Sequence, residues 1–203
     1  MKEKRPHIPN PPALTAVHRA VVTAMGDHGP LRVPRTEVAR LAGTDRQFLL
    51  RNWPDRHKLH LAAVKGELQR LLRVAAELAD FSDMPPSACL AVRQIVRAAR
   101  LVREHPVTAA TARTEPGLLH AALLQAPGPL HNIALSWITG GPLVQQARET
   151  RDFGALAQLM FAVALPFALT PGSGEREAHN ARLARLLHTC TTGTAVCSHC
   201  NLT

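Results

Sequence analysis

The chain has 203 residues, 46% of them hydrophobic, which is enough to fill one large domain or two small ones and excludes a wholly disordered chain. Its apolar runs are broken by charge or proline before they reach the roughly 20 residues needed to cross a bilayer, and the polar start MKEKRPHIPNPP has no signal-peptide core, so a soluble, cytoplasmic protein with no membrane partner is expected. Twenty-four Lys and Arg against 15 Asp and Glu give a net charge of +9, which favours a polyanionic partner over an acidic small substrate.

Apolar residues recur at helical spacing almost throughout, and no alternating or β-branched run is bounded by turn signals, which predicts an all-α fold. Residues 1–12 read as a basic, unstructured arm closed by Pro11 and Pro12. Leu14, Val17, Val21 and Met25 then line one face of a helix that stops between Gly26 and Gly29. A second, short helix begins around Pro34, turns Val38 and Leu41 inward and ends at Gly43. Asp45 caps a third over 46–52, ahead of Trp53 and Pro54. Asp55 caps a long fourth, in which Leu61, Val64, Leu68, Leu71, Ala75 and Leu78 keep one face apolar to about Ala79.

Ser82 to Pro86 breaks the pattern, and a fifth helix runs to about Glu104, where Pro106 ends it. Further helices are expected over 116–125, 130–139 and 143–149. The segment 153–169 is apolar nearly all round, so it must be covered on more than one side, and Pro166 is expected to bend it. After the break at 171–174, residues 175–188 form a last amphipathic helix, and 189–203 are a Thr- and Cys-rich tail without periodicity.

Three short helices in the first 54 residues, the second and third joined at Gly43-Thr44-Asp45, make a helix-turn-helix followed by a long connecting helix. The charge lies at the same end: residues 1–60 hold eleven basic against five acidic side chains, whereas 61–110 hold seven against five and 111–203 six against five. The stretches Ala20 to Met25 with Gly29, Val38 to Gly43, Leu49, Trp53-Pro54-Asp55-Arg56 and Leu59 together resemble the TetR family of bacterial transcriptional regulators. The resemblance covers about 50 residues, in order and spacing. It departs at Leu50, where the family usually has tyrosine, at Pro34, where it has Ser or Thr, and at Gln47 and Phe48, where its residues are small.

What the resemblance implies is a helix-turn-helix DNA-binding domain over 13–58 and a helical effector-binding and dimerisation domain over 59–188, the whole acting as a homodimer on a pseudo-palindromic operator in double-stranded DNA. Such a regulator is expected to be a repressor released by a small-molecule effector. On the third helix Leu49 and Trp53 face the core, which turns Arg46, Gln47, Leu50 and Arg51 outward to base edges. Phe48 has two readings, contact with a thymine methyl or membership of the core. Arg35, Arg56 and Lys58 read as phosphate contacts, and Lys2, Lys4 and Arg5 as a minor-groove arm or an arm without a partner.

In the C-terminal domain Arg93, Arg97 and Arg100 form a stripe that is either a solvated face or a seat for an anionic effector. Arg97, Arg100, His120 and Trp137, with His105 and His131 nearby in sequence, are the candidate effector residues. Leu156, Met160, Val163 and Phe167 are the candidate dimer interface, because a helix apolar on all sides needs a second cover. The tail carries His188, Cys190, Cys197, His199 and Cys200, of which Cys190, Cys197, His199 and Cys200 are candidate Zn²⁺ ligands; a thiol-responsive or accidental cluster is the other reading. A regulator that senses zinc or thiol chemistry through this tail, or a helical interaction module without specific DNA binding, are the alternatives. No nucleophile with a base at recognisable spacing, no H-E-x-x-H and no phosphate loop occurs in the sequence, so neither an enzyme nor an obligatory cofactor is expected.

Overall fold

A computed structural model of the chain describes residues 11–77, 87–124, 128–141, 152–170 and 176–194, together with residue 197. Among them ten helices follow one another: α1 (Pro11–His28), α2 (Arg35–Leu41), α3 (Arg46–Asn52), α4 (Arg56–Ala76), α5 (Ser87–Arg103), α6 (Pro106–Thr114), α7 (Pro116–Leu124), α8 (Pro129–Thr139), α9 (Phe153–Leu169) and α10 (Arg176–Thr192). The fold is all-α, as the periodicity of the sequence requires, and no helix among the described residues is long and apolar enough to cross a membrane. The basic arm before residue 11, the breaks at 82–86 and 171–174 and the expected helix over 143–149 lie outside the described residues.

α6 is the helix that the sequence reading omits. Pro106 stops α5, but it also occupies the first position of α6, where its missing N–H costs nothing. The helix buries Thr108, Ala110 and Thr111 rather than large aliphatic residues. The Thr111 hydroxyl donates to the Val107 carbonyl at 2.7 Å, so a polar group enters the core satisfied.

The chain divides into two compact units, Met1–Glu67 with Pro106–Leu118, and Leu68–His105 with Leu119–Thr203. The first unit therefore runs beyond residue 58, where the sequence reading sets its domain boundary, and takes in α6, which packs along α1. Its core joins Val17, Val21, Ala24 and Met25 of α1 to Val33, Val38, Leu49, Leu59 and Ala63, with Val107 of α6 packed against them. In the second unit α9 packs on α5, α8 and α10, and α5 on α10. Ala91, Val92, Ile95, Ala99, Ala157, Met160, Ala164, Leu183 and Leu187 fill the space between them; the alanines let the helices approach closely. Buried Arg103 is held by the Phe167 carbonyl at 3.2 Å and by Asn180 Oδ1 at 2.7 Å. The first of these satisfies a carbonyl in the last turn of α9.

Candidate nucleic-acid interface

The geometry of α3 begins with the turn before it. Thr44 N–H bonds the Ala39 carbonyl at 2.9 Å and Gly43 N–H the Arg40 carbonyl at 3.3 Å, a Schellman ending for α2. Gly43 takes φ +63°, which a residue with a Cβ adopts only at a cost of about 1–2 kcal/mol. Two residues on, the Asp45 carboxylate accepts the Phe48 N–H at 2.7 Å and starts α3.

α3 is docked by one fully buried side chain, Leu49, 1% exposed. Trp53 is half-buried and packs on the same core. Arg46, Gln47, Leu50 and Arg51 are exposed on the outward side, as helical spacing from Leu49 dictates. Phe48 takes its second reading. It is half-buried against the core, and its ring lies edge-on to Trp53 with centroids 6.1 Å apart, which draws it off the outward face.

Of the three expected phosphate contacts, two make exposed hydrogen bonds within the chain. Arg35 donates from Nη2 to the Pro54 carbonyl at 2.8 Å, and its Nη1 is enclosed, so this guanidinium ties α2 to the turn after α3. Arg56 donates from Nη2 to the Leu31 carbonyl at 2.6 Å and fixes the loop before α2. Lys58 is exposed beside Asp55, whose carboxylate accepts its backbone N–H at 3.2 Å, and Arg46 and Arg51 are exposed as well. Exposed Arg40, by contrast, is held by both carboxylate oxygens of Glu37, at 2.9 and 2.6 Å.

His60, on α4 beside this staple, is held neutral. Burial is the main cause and the positive charges of Arg56, His57 and Arg35 add to it, together pushing its pKa down to about 4 against a weaker opposing bond to the Pro30 carbonyl. A histidine with a depressed folded-state pKa gives stability that is complete above the unfolded value near 6.5 and is lost as pH falls towards 4. Allowing for the solvent that still reaches the ring, His60→Gln should remove about 1–2 kcal/mol of the difference in unfolding free energy between pH 7 and pH 4.5. Urea titrations of both proteins at the two pH values check this; parallel losses would place the acid sensitivity elsewhere.

The second unit holds a cleft of about 600 Å³ lined by Gln69, Leu72 and Arg73 of α4 and Asn132, Ile133, Ser136 and Trp137 of α8. Of the four expected effector residues, only Trp137 is in it. Arg97 is bound to the Glu77 carbonyl at 2.7 Å, Arg100 pairs with Glu104 at 3.2 Å, and His120 stands exposed on α7. His131 packs on Phe161 with ring centroids 4.3 Å apart. The cleft's polar residues, Gln69, Arg73, Asn132 and Ser136, carry no motif and have no signal in the sequence.

The expected dimer residues face inward. Met160 is wholly buried in its own chain, and Leu156, Val163 and Phe167 are half-buried against the same core. Of the expected metal ligands, His199 and Cys200 lie outside the described residues, and Cys190 is half-exposed on α10. Cys197 meets two residues that the expected ligand set omits, Cys89 and His188. Cys89 sits about half the chain away, in an apolar helix face that nothing in the sequence marks as a ligand position.

No protein-family model and no curated protein matches this sequence. Among solved structures, the chain is similar to a TetR-like transcriptional regulator from Rhodococcus sp. RHA1, at 15% identity over 93% of this chain and 100% of that one, with a TM-score of 0.54. It is also similar to a TetR-family transcriptional regulator from Streptomyces coelicolor, at 16% identity over 90% of this chain and 82% of that one, with a TM-score of 0.53. The chain has a TetR-like fold.

Proposed function

We propose that the chain is a TetR-like transcriptional regulator, a cytoplasmic homodimer that represses by binding a pseudo-palindromic operator and is released by a small molecule. The observation that carries this reading is the outward face of α3. Arg46, Gln47, Leu50 and Arg51 stand exposed on a short helix whose orientation is fixed by the Schellman turn, the Asp45 cap and buried Leu49. Arg46 and Gln47, at the leading end, suit guanine O6/N7 and adenine N6/N7 in a major groove. Lys58 supplies a phosphate contact, which positions the helix without specifying sequence.

The cleft between α4 and α8 is the proposed effector site. Its volume lies within the range of small-molecule pockets, and Arg73, Gln69, Asn132 and Ser136 around Trp137 suit a ligand with an aromatic or apolar body and a polar or anionic group. α4 begins directly after the α3 turn and ends in this cleft, so a ligand that prefers one setting of α4 biases the DNA-binding unit.

The test is selection of a random duplex library by the purified full-length protein at about 150 mM salt, where specific and non-specific binding separate. An inverted repeat with half-sites about 34–36 Å apart is expected, from two α3 helices in successive major grooves. No enrichment by a folded protein would overturn the reading in favour of a helical interaction module.

A further inference from the structure

Three ligand-bearing side chains that are distant in sequence meet inside the second unit. Cys89 Sγ of α5 lies 3.7 Å from His188 Nε2 of α10 and 3.5 Å from Cys197 Sγ, and the three atoms are all within 4.8 Å of one another. Cys89 and His188 are buried and Cys197 half-buried. The sulfurs are thiols, with no disulfide between them.

The other nitrogen of the histidine decides what the ring can do. Nδ1 lies 2.8 Å from the Thr194 carbonyl, a group that only accepts, so Nδ1 carries the ring proton and Nε2 turns its lone pair toward the sulfurs. Thr192 Oγ1, 2.9 Å from Nδ1, gives its own proton to the His188 carbonyl and so stands as a second acceptor. Gly193 makes this possible. At φ +75° it closes α10 through an N–H bond to the Thr189 carbonyl and turns Thr194 back over the ring, a conformation that disfavours any residue with a Cβ. An imidazole anchored by Nδ1–H to a backbone carbonyl is the form in which histidine ligates metals.

Two of the three separations are close to the edges of a tetrahedral ion, and the third is within 4.8 Å. With Zn–S near 2.3 Å and Zn–N near 2.05 Å, a tetrahedron has S···S edges of about 3.8 Å and S···N edges of about 3.6 Å. The observed 3.5 and 3.7 Å lie close to these. A disulfide needs its sulfurs about 2.05 Å apart, so the spacing suits an ion between the sulfurs better than a bond joining them. Two thiolates and a neutral imidazole also cancel the charge of a divalent cation, so the loaded site brings no net charge into the core.

The geometry points to a Zn²⁺ site formed by Cys89, His188 and Cys197, which clamps α5, α10 and the segment after α10 together. Each ion displaces the two thiol protons to solvent, and the fourth position is left to water or another donor. This site shares only Cys197 with the set confined to the tail, Cys190, Cys197, His199 and Cys200.

The two sets separate experimentally. The full-length protein, purified without chelator under reducing conditions, is assayed for zinc per chain and titrated with Co²⁺, whose visible bands report tetrahedral thiolate coordination. One zinc per chain and intense tetrahedral bands are expected. His188→Gln, Cys197→Ser and Cys89→Ser should each weaken zinc binding at least about tenfold, whereas Cys190→Ser should leave it unchanged. Circular dichroism tracks folding, and if buried Cys89→Ser does not fold, His188→Gln and Cys197→Ser decide. A wild-type protein with no zinc and only the weak octahedral Co²⁺ spectrum overturns the proposal. So does zinc binding unmoved by Cys89→Ser or His188→Gln, which puts the ion on the tail alone, and so does a Cys89–Cys197 disulfide in a protein that takes up no metal after reduction.

Discussion

Replacing Leu159 and Leu186 together by aspartate is expected to leave a folded monomer and to cut affinity for an inverted-repeat duplex by about 10²–10⁴-fold, the advantage that linked half-site binding confers. These leucines are 48% and 43% exposed on α9 and α10, two helices that pack on each other. On α9 Leu159 belongs to an exposed, wholly apolar stripe, Ala155, Leu159, Ala162 and Pro166, spaced four, three and four apart. On α10 Ala178, Arg182, Leu186 and Thr189 are exposed at a similar spacing. An apolar stripe with no cover among the described residues fits a second copy of the same surface, and an aspartate pair placed there meets its like across the two-fold axis. The same change one residue on has another result: Met160→Asp puts an unpaired charge in the core and unfolds the unit. Sedimentation, circular dichroism and duplex titration separate the two outcomes. An unchanged dimer mass for the double variant would move the interface elsewhere.

Leu49→Ala should destabilise the first unit by about 2–5 kcal/mol, while Leu50→Ala, its neighbour, should stay within about 0.5 kcal/mol of the parent. Leu49 is 1% exposed and is the buried residue that seats α3, so its loss leaves a cavity under the helix that presents Arg46 and Gln47. Leu50 is 41% exposed and makes no comparable contact with the core. Urea unfolding reads both. If Leu50→Ala then weakens DNA binding, the effect belongs to contact with DNA, whereas Leu49→Ala weakens it by loosening the helix. Equal stability losses would mean that α3 is rotated from the orientation described.

The helix-turn-helix is legible in the sequence because each signal is local. Gly43 marks the end of α2 and Asp45 the start of α3, and the four-residue step from Leu49 to Trp53 sets the inward side. α6 is not, because it buries threonines whose hydroxyls are satisfied by the helix itself and because Pro106 both ends one helix and begins the next. On α9 the pattern was ambiguous by its nature. Leu156, Met160, Val163 and Phe167 repeat at the same spacing as Ala155, Leu159, Ala162 and Pro166 one residue earlier, and both stripes are apolar; the larger side chains are the ones that fill the core. Arginine periodicity pointed to Arg97 and Arg100 as anion ligands, yet one serves a carbonyl and the other a neighbouring glutamate. Cys89 could not be joined to His188 and Cys197 before the helices were packed, since the contacts span 99 and 108 residues.

The central claim, that the outward face of α3 reads DNA sequence, is tested most directly by repeating the random-duplex selection with Arg46→Ala and Gln47→Ala. Each variant should remain a folded dimer and still recover an inverted repeat, with preference lost at one guanine position for the first and one adenine position for the second, symmetrically in both half-sites and at about 1–3 kcal/mol each. Sequence preferences identical to those of the parent protein in both variants would contradict it.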